Sequence, residues 1–269
     1  MRIAFGISYK GQNFHGWQKQ TQAGILSIQS VLEKALYNFT KEHISIYVAG
    51  RTDARVHALE QIIHFDTNCI REEFSWVRGT NSWINRLGYK DINVLWAKTV
   101  NQDFHARFNA ISRTYHYALY VSPTPPVCFK GLTGYLMHPH RILNTENMQK
   151  AASYLVGQHD FSSFRASICQ AKSPIKTMYD ISIQQKHPWY IFTIKGNAFL
   201  HHMVRNIMGC LIKIGTDKEP AIWMKEVLEA KNRIKAAPTF MPDGLYLAKI
   251  EYPEGVDLPY IKPEFPWNI

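Results

Sequence analysis

"ISIYVAGRTDARVHALEQIIHFD", residues 44–66, decides how the first half of this chain folds. Two runs rich in β-branched and aromatic residues, 44–49 and 61–66, read as strands. The polar stretch 49–58, "AGRTDARVHA", is then the loop that joins them. It carries one carboxylate, Asp53, between the guanidiniums of Arg51 and Arg55, with His57 four residues beyond the acid. Fixed cations within a few ångströms lower a carboxylate's pKa and keep it an anion. A carboxylate nucleophile or a phosphate-reading turn has a use for that arrangement. Arg/Asp alternation is also common on solvated surfaces, so the stretch by itself leaves both readings open.

Outward from this loop, the pattern is that of an α+β protein. Residues 2–9 alternate around Ile3 and Phe5 as a strand. "LSIQSVLEKALYNF" places Ile28, Val31, Leu32, Ala35, Leu36 and Phe39 on one helical face, with Ser27 as its cap. A helix over 72–86 and a strand at "INVLWAK" complete the order βαββαβ. The second half repeats the order without repeating the sequence. "RTYHYALYV" is a strand, and "TENMQKAASYLVG" is a helix that turns Met148, Ala151, Ala152 and Leu155 inward and stops at Gly157. "MYDISIQ" and "WYIFTIKG" pair across His187-Pro188, helices follow over 200–214 and 219–230, and "LYLAKIEY" closes as a strand. The expected fold is two ferredoxin-like βαββαβ units, 1–105 with the Asp53 loop and 106–269, joined near 100–112. They would form one wide, mainly antiparallel sheet with helices on one face, acting as a single catalytic unit. The Pro-rich "SPTPPVCFKG" is a loop inside the second half.

Of the 269 residues, 46% are hydrophobic and 19% charged, a globular composition. The net charge of +10 favours a polyanionic partner, nucleic acid before anionic membrane. No apolar run approaches the roughly 18 residues of a spanning helix. "MRIAFGISYKG" does not read as a secretory signal. Cys69, Cys128, Cys169 and Cys210 have neither disulfide density nor metal-ligand spacing, and are expected to be reduced, mostly buried thiols of a cytoplasmic protein.

The histidines cluster as His57 and His64, His138 and His140, His201 and His202, without the spacing of a metal site. Adjacent histidines on a helix diverge by about 100°, so His201 and His202 are not expected to share an ion. No metal is expected. P-loop, G-x-G-x-x-G and G-x-S-x-G motifs are absent from the sequence. What remains are segments that mix cations and aromatics. "FHARFNAISRTYHY" carries His105, Arg107, Arg113, Tyr115 and Tyr117; "GNAFLHHMVRNIMG" carries Phe199, His201, His202 and Arg205; "FHGWQKQ" adds Trp17 and Lys19. Arginine for phosphate beside an aromatic for stacking suits single-stranded or flipped-out RNA bases.

These segments, with "YKGQNFHGWQKQ", "AGRTDARVHA", "HDFSSFRA" and "GLYLAKIEY", resemble in the same order the signature segments of the tRNA pseudouridine synthase A family. The resemblance runs from about residue 3 to 252. It implies the pseudouridine synthase fold and isomerisation of uridine to pseudouridine at positions 38–40 of the tRNA anticodon stem-loop. No cofactor is implied, and a homodimer would hold tRNA across both subunits. Asp53 matches the family's catalytic aspartate, Tyr115 its active-site tyrosine, and Arg205 the arginine paired with the aspartate. Arg51 and Arg107 match basic residues near bound RNA; Lys19, Arg55, His201 and His202 complete the candidate RNA contacts. Departures are Arg55 in place of a glycine, Tyr9-Lys10-Gly11 in place of Tyr-Asp-Gly, "NSWINRLGYKDI" in place of Asn-x-x-Leu-Pro-x-Asp-Ile, and Met241 and Asp243 in a turn that is usually Pro-rich. A glycine at position 55 implies positive φ, where an arginine is strained.

Overall fold

The computed structural model describes residues 1–20, 22, 24–139 and 142–261; His140 lies outside them. Among these residues the protein is α+β, with mostly antiparallel strands and five α-helices. The chain forms two compact units, one of Met1–Ile111 with the segment from Tyr246 onward, the other of Ser112–Leu245.

In the first unit β1 (Arg2–Tyr9), α1 (Ile28–Thr40), β2 (Tyr47–Val48), β3 (His57–Asp66), α2 (Glu73–Arg86) and β4 (Ile92–Val100) follow the expected βαββαβ order. β1 is antiparallel to both β3 and β4. On the other edge of β3, β2 pairs through Tyr47 with His64 and Val48 with Ile63. The closing strand β10 (Leu245–Glu251, counted along the chain) pairs with β3 in parallel, Tyr246 with His57 and Leu247 with Ala58. Alternation turns Ile3, Phe5 and Ile7 to one face, where Phe5 meets Phe65 edge-on at 5.0 Å and Trp76 of α2 at 6.2 Å. α1 buries Ile28, Val31, Leu32, Ala35 and Leu36 as its spacing requires. Ser27 and Ser30 cap it reciprocally, each side-chain oxygen accepting the other's backbone N–H at 3.2 Å.

The second unit holds β5 (Ser112–Ser122), β6 (Gly134–Met137), α3 (Thr145–Ser153), β7 (Gly157–Asp160), β8 (Ile175–Lys186), β9 (Trp189–Gly196), α4 (Met203–Gly215) and α5 (Trp223–Ala230). Its strands run β5-β9-β8-β7, all antiparallel, with β6 beside β5 in parallel. Met148, Ala151, Ala152 and Leu155 are buried as read from the sequence. α4 is apolar on most of its circumference, and Gly215 lets α3 close in: a Cβ there would sit 2.3 Å from the Met148 sulfur.

Several boundaries differ from the sequence reading. The strand expected over 44–49 shrinks to Tyr47–Val48, whereas β3 begins at His57, inside the stretch read as loop, because β10 pairs with it there. Gly157 does not stop α3, which ends at Ser153; it opens β7 at φ +107° instead. α4 starts at Met203 because His202 is left-handed, and β6 and β7 carried no signal strong enough to be read. Only Cys210 is buried; Cys128 is exposed and Cys69 and Cys169 are half-buried, so the expected burial holds for one thiol of four. No helix among the described residues is long and apolar enough to cross a membrane.

One buried carboxyl ties three strands of the first unit together. Trp96 on β4 lies across Gly6 on β1, where a Cβ would come within 2.1 Å of the indole nitrogen. That indole N–H donates to Glu60 Oε1 on β3 at 2.9 Å. Burial pushes the Glu60 pKa up, against the opposing pull of the Trp96 hydrogen bond and Lys249. A carboxyl whose folded pKa exceeds its unfolded value stabilises most below the unfolded pKa and loses that contribution as pH rises through the folded one. Glu60→Gln keeps an acceptor for Trp96 but does not titrate. Its stability relative to the parent is therefore expected to climb as pH rises from about 4, the ordinary glutamate value, toward neutrality. Urea unfolding of both proteins across that range measures it, and a flat difference contradicts the desolvation.

Candidate active site

Asp53 sits in a β-turn at the entrance to β3, its carbonyl accepting the Val56 N–H at 3.2 Å. Asp53 is half-buried while Arg51, Ala54 and Arg55 are exposed, so the turn projects from the unit with the acid partly sheltered. Arg55, the third residue of the turn, has φ +69°, the left-handed conformation expected where the family pattern has glycine. The segment between β1 and α1 grips this turn from below. Trp17 N–H donates to Thr52 O at 3.0 Å, and Arg55 N–H to Phe14 O at 3.1 Å. Gly16, at φ +87°, permits that approach: a Cβ would lie 2.8 Å from Thr52 O and 3.0 Å from the Asp53 carbonyl carbon. Gly11 is tighter still, a Cβ falling 2.0 Å from Val56 O, and its N–H donates to His57 Nδ1 at 3.1 Å.

A second tie runs through side chains. The buried Tyr9 hydroxyl and Thr52 Oγ1 are hydrogen-bonded at 2.8 Å, and Gln61 bridges from β3 to Tyr9 and to the Gly50 carbonyl. Burial pushes the Tyr9 phenol up to about 12, so it stays protonated while Thr52 and Gln61 hold it. His57 stacks on Tyr246 of β10 at 4.5 Å and 19°. These contacts fix the backbone on both sides of Asp53.

The second unit carries Tyr115, Arg205, His201 and His202. Tyr115, 8% exposed on β5, is held edge-on by Phe199 at 5.0 Å and 82°. Two residues on, Tyr117 donates its hydroxyl to Met241 O at 2.9 Å; burial, then Asp243, raises its pKa well above the ordinary phenol value, against the pull of Arg205. Arg205 leaves the first turn of α4, its Nε donating to Phe240 O at 2.9 Å while Phe240 N–H returns to Arg205 O at 3.1 Å. Along the same helix face, Asn206 accepts from Thr239, Gly209 admits the Pro238 carbonyl, and Cys210 Sγ accepts the Ala237 N–H at 3.3 Å. Residues 237–240 are thereby zipped onto α4. His201 and His202 precede the helix, and their rings lie 4.0 Å apart at 34°. The divergence expected of neighbours on a helix does not apply, because His202 is at φ +63° and neither residue is helical.

Of the other candidates, Lys19 is exposed and ion-paired with Glu33 at 3.1 Å. Arg107 is exposed on the segment before β5, with its guanidinium 5.8 Å from the Phe108 ring. Sequence reasoning passed over Tyr9, Gln61, Gly11 and Gly16 as supports of the acid-bearing turn. Three of them lie in "YKGQNFHGWQKQ", residues 9–20, where the signal available was two glycines, Gly11 and Gly16, in a span of six residues.

Each unit thus holds polar side chains in fixed places: an aspartate on a braced turn in the first, a buried tyrosine and a clamped arginine in the second. The family described as tRNA pseudouridine synthase matches residues 7–109 and 151–253, and the chain belongs to it. Among its relatives, the tRNA pseudouridine synthase A of Ralstonia nicotianae is 52% identical, covering 96% of this chain and 92% of that protein. The protein of the same name from Polynucleobacter asymbioticus is also 52% identical, over 99% of this chain and 97% of its own length. That of Paraburkholderia phytofirmans is 48% identical, over 99% and 96%.

The left-handed Arg55 makes a measurable prediction. A non-glycine residue in this conformation costs about 1 kcal/mol, partly offset by the greater freedom glycine has when unfolded. Arg55→Gly is expected to raise stability by roughly 0.5 kcal/mol and to leave the single-turnover rate intact, since the side chain is exposed and two residues from the acid. Thermal melts and single-turnover assays check the two parts separately. A collapse of the rate would place Arg55 among the reacting groups.

Proposed function

We propose that this protein converts uridine to pseudouridine in the anticodon stem-loop of tRNA, at positions 38–40, as a cytoplasmic homodimer with Asp53, Tyr115 and Arg205 as its chemical groups. The observation that carries this reading is the braced turn bearing Asp53 in a chain that belongs to the tRNA pseudouridine synthase family. The reaction breaks the bond from uracil N1 to C1′, turns the base, and bonds C5 to C1′. A proton leaves C5 and one is gained at N1, so no oxidant or reductant is consumed. Asp53 acts as an anion, either as the nucleophile that bonds the sugar or as the base that takes a proton from it. Arg205, whose Nε is anchored on Phe240 O, sustains that charge. Tyr115, its ring set by Phe199, offers a π face to the flipped uracil and a hydroxyl for the C5 proton. Stacking returns about 1–3 kcal/mol per base against the few kcal/mol of extrusion. Arg51, Arg55, Arg107, Lys19, His201 and His202 serve phosphate and base contacts around it.

Asp53→Asn is expected to abolish pseudouridine formation while tRNA affinity changes by no more than about threefold, because the charge is needed for bond-making and not for docking. Tritium release from uridine-labelled tRNA, beside a binding titration, measures both. Substantial turnover by the variant would sink the assignment.

The charge of +10 leads to a second expectation. Each phosphate contact adds about −0.7 to −0.9 to the slope of log affinity on log salt, so several contacts give a slope steeper than roughly −3. A near-flat salt response contradicts a phosphate-dominated surface, and a fully active monomer in light scattering contradicts the dimer.

A further inference from the structure

Beside Arg107 the first unit carries an exposed aromatic ring, Phe108, to which the function above gives no role. Residues 104–109 fold back over the end of β3 farthest from Asp53, and two imidazoles hold them there. His64 Nδ1 accepts the Ala106 N–H at 3.1 Å, while His105 Nδ1 accepts the N–H groups of Arg107 at 3.1 Å and Phe108 at 3.3 Å. Asn109 N–H returns to His105 O at 3.0 Å, and the Tyr252 hydroxyl donates to Ala106 O at 2.7 Å. Both histidines must be unprotonated at Nδ1 to accept. Burial lowers the His64 pKa to about 4, and burial followed by Arg2 lowers that of His105.

What this fixed turn presents to solvent is an apolar ring. Phe108 is 75% exposed, with His105 packed against it at 4.2 Å and the Arg107 guanidinium 5.8 Å from its centroid. Below His105, the His64 ring lies at 4.7 Å, and Tyr47 stacks on His64 at 4.9 Å and 18°. A mobile loop can hide an exposed phenylalanine; this one is held outward by hydrogen bonds to its own backbone. A rigid aromatic face beside a guanidinium, on a protein of charge +10, matches a nucleobase with its phosphate. His64 lies seven steps along β3 from His57, about 23 Å of strand, so the ring and the Asp53 turn cannot serve the same base.

We infer that Phe108, with Arg107 beside it, is a stacking platform for an unpaired base of the bound RNA other than the reacting uridine. This rests on the proposed RNA substrate. The test compares the full-length protein with Phe108→Ala, Phe108→Leu and Phe108→Tyr, measuring tRNA affinity, single-turnover rate at saturating enzyme, and oligomeric state. Phe108→Ala and Phe108→Leu are expected to weaken tRNA binding on the order of tenfold with the single-turnover rate unchanged, and Phe108→Tyr to restore affinity. Leucine keeps apolar area but lacks the π face, so affinity restored by leucine overturns stacking. Unchanged affinity in Phe108→Ala also overturns it, as does a shift toward monomer, which would make the ring a contact between copies of this chain. Should the parent protein neither bind nor isomerise tRNA, it is the functional reading that fails; if it does both and the Phe108 variants match it, only the platform fails.

Discussion

The placement of Asp53 depends on two backbones touching. Trp17 N–H reaches Thr52 O because Gly16 puts no Cβ between the strands of chain, and Gly11 allows the same intimacy against Val56 O. An alanine at either position would require movement of the turn that bears the acid, since the obstructing atoms are backbone and cannot rotate away. The turn is thus located by main-chain hydrogen bonds, which are short, directional and costly to leave unmade. Side chains add to this without replacing it: Tyr9, Thr52 and Gln61 form a buried hydrogen-bonded group, and Tyr9 remains a neutral phenol at any ordinary pH.

The second unit solves its own positioning problem by similar means. An arginine at the start of a helix has long rotatable stems and many accessible orientations. Bonding Nε to Phe240 O removes much of that freedom, and the reciprocal Phe240 N–H to Arg205 O bond ties the segment to the helix. Thr239, Pro238 and Ala237 continue the attachment along one face of α4, with Gly209 as the point of closest approach. Tyr117 then holds the next carbonyl, Met241 O, so the strand bearing Tyr115 and the segment restraining Arg205 are joined within one unit. A rigid arginine stabilises charge more effectively than a mobile one, because no reorganisation is needed when the charge develops.

Much of this was legible in order along the chain. The periodic apolar positions of α1, the Ser27 cap, the alternation of β1 and the pair of strands flanking residues 187–188 all follow from local pattern, and the structure has them. The acid-bearing turn was visible as a carboxylate between arginines, and the strain at Arg55 as an arginine in a glycine position. The extents of β2 and β3 were not, because a partner strand some 190 residues away in sequence decides where pairing begins. β6 failed to announce itself for the same reason: four residues with Gly at their head become a strand only beside β5.

The sequence by itself determined which residue types stand in which local element, and with them the motif order that marks the family, because helix faces, caps and turns are set by neighbours within a few residues. Tertiary structure alone decided which backbones approach closely enough to hold Asp53 and Arg205. It also decided that His201 and His202 lie ring beside ring and that Phe108 faces solvent on a fixed turn. Those outcomes depend on hydrogen bonds and steric gaps between segments distant in the chain, and a local pattern carries no record of a partner it does not contain.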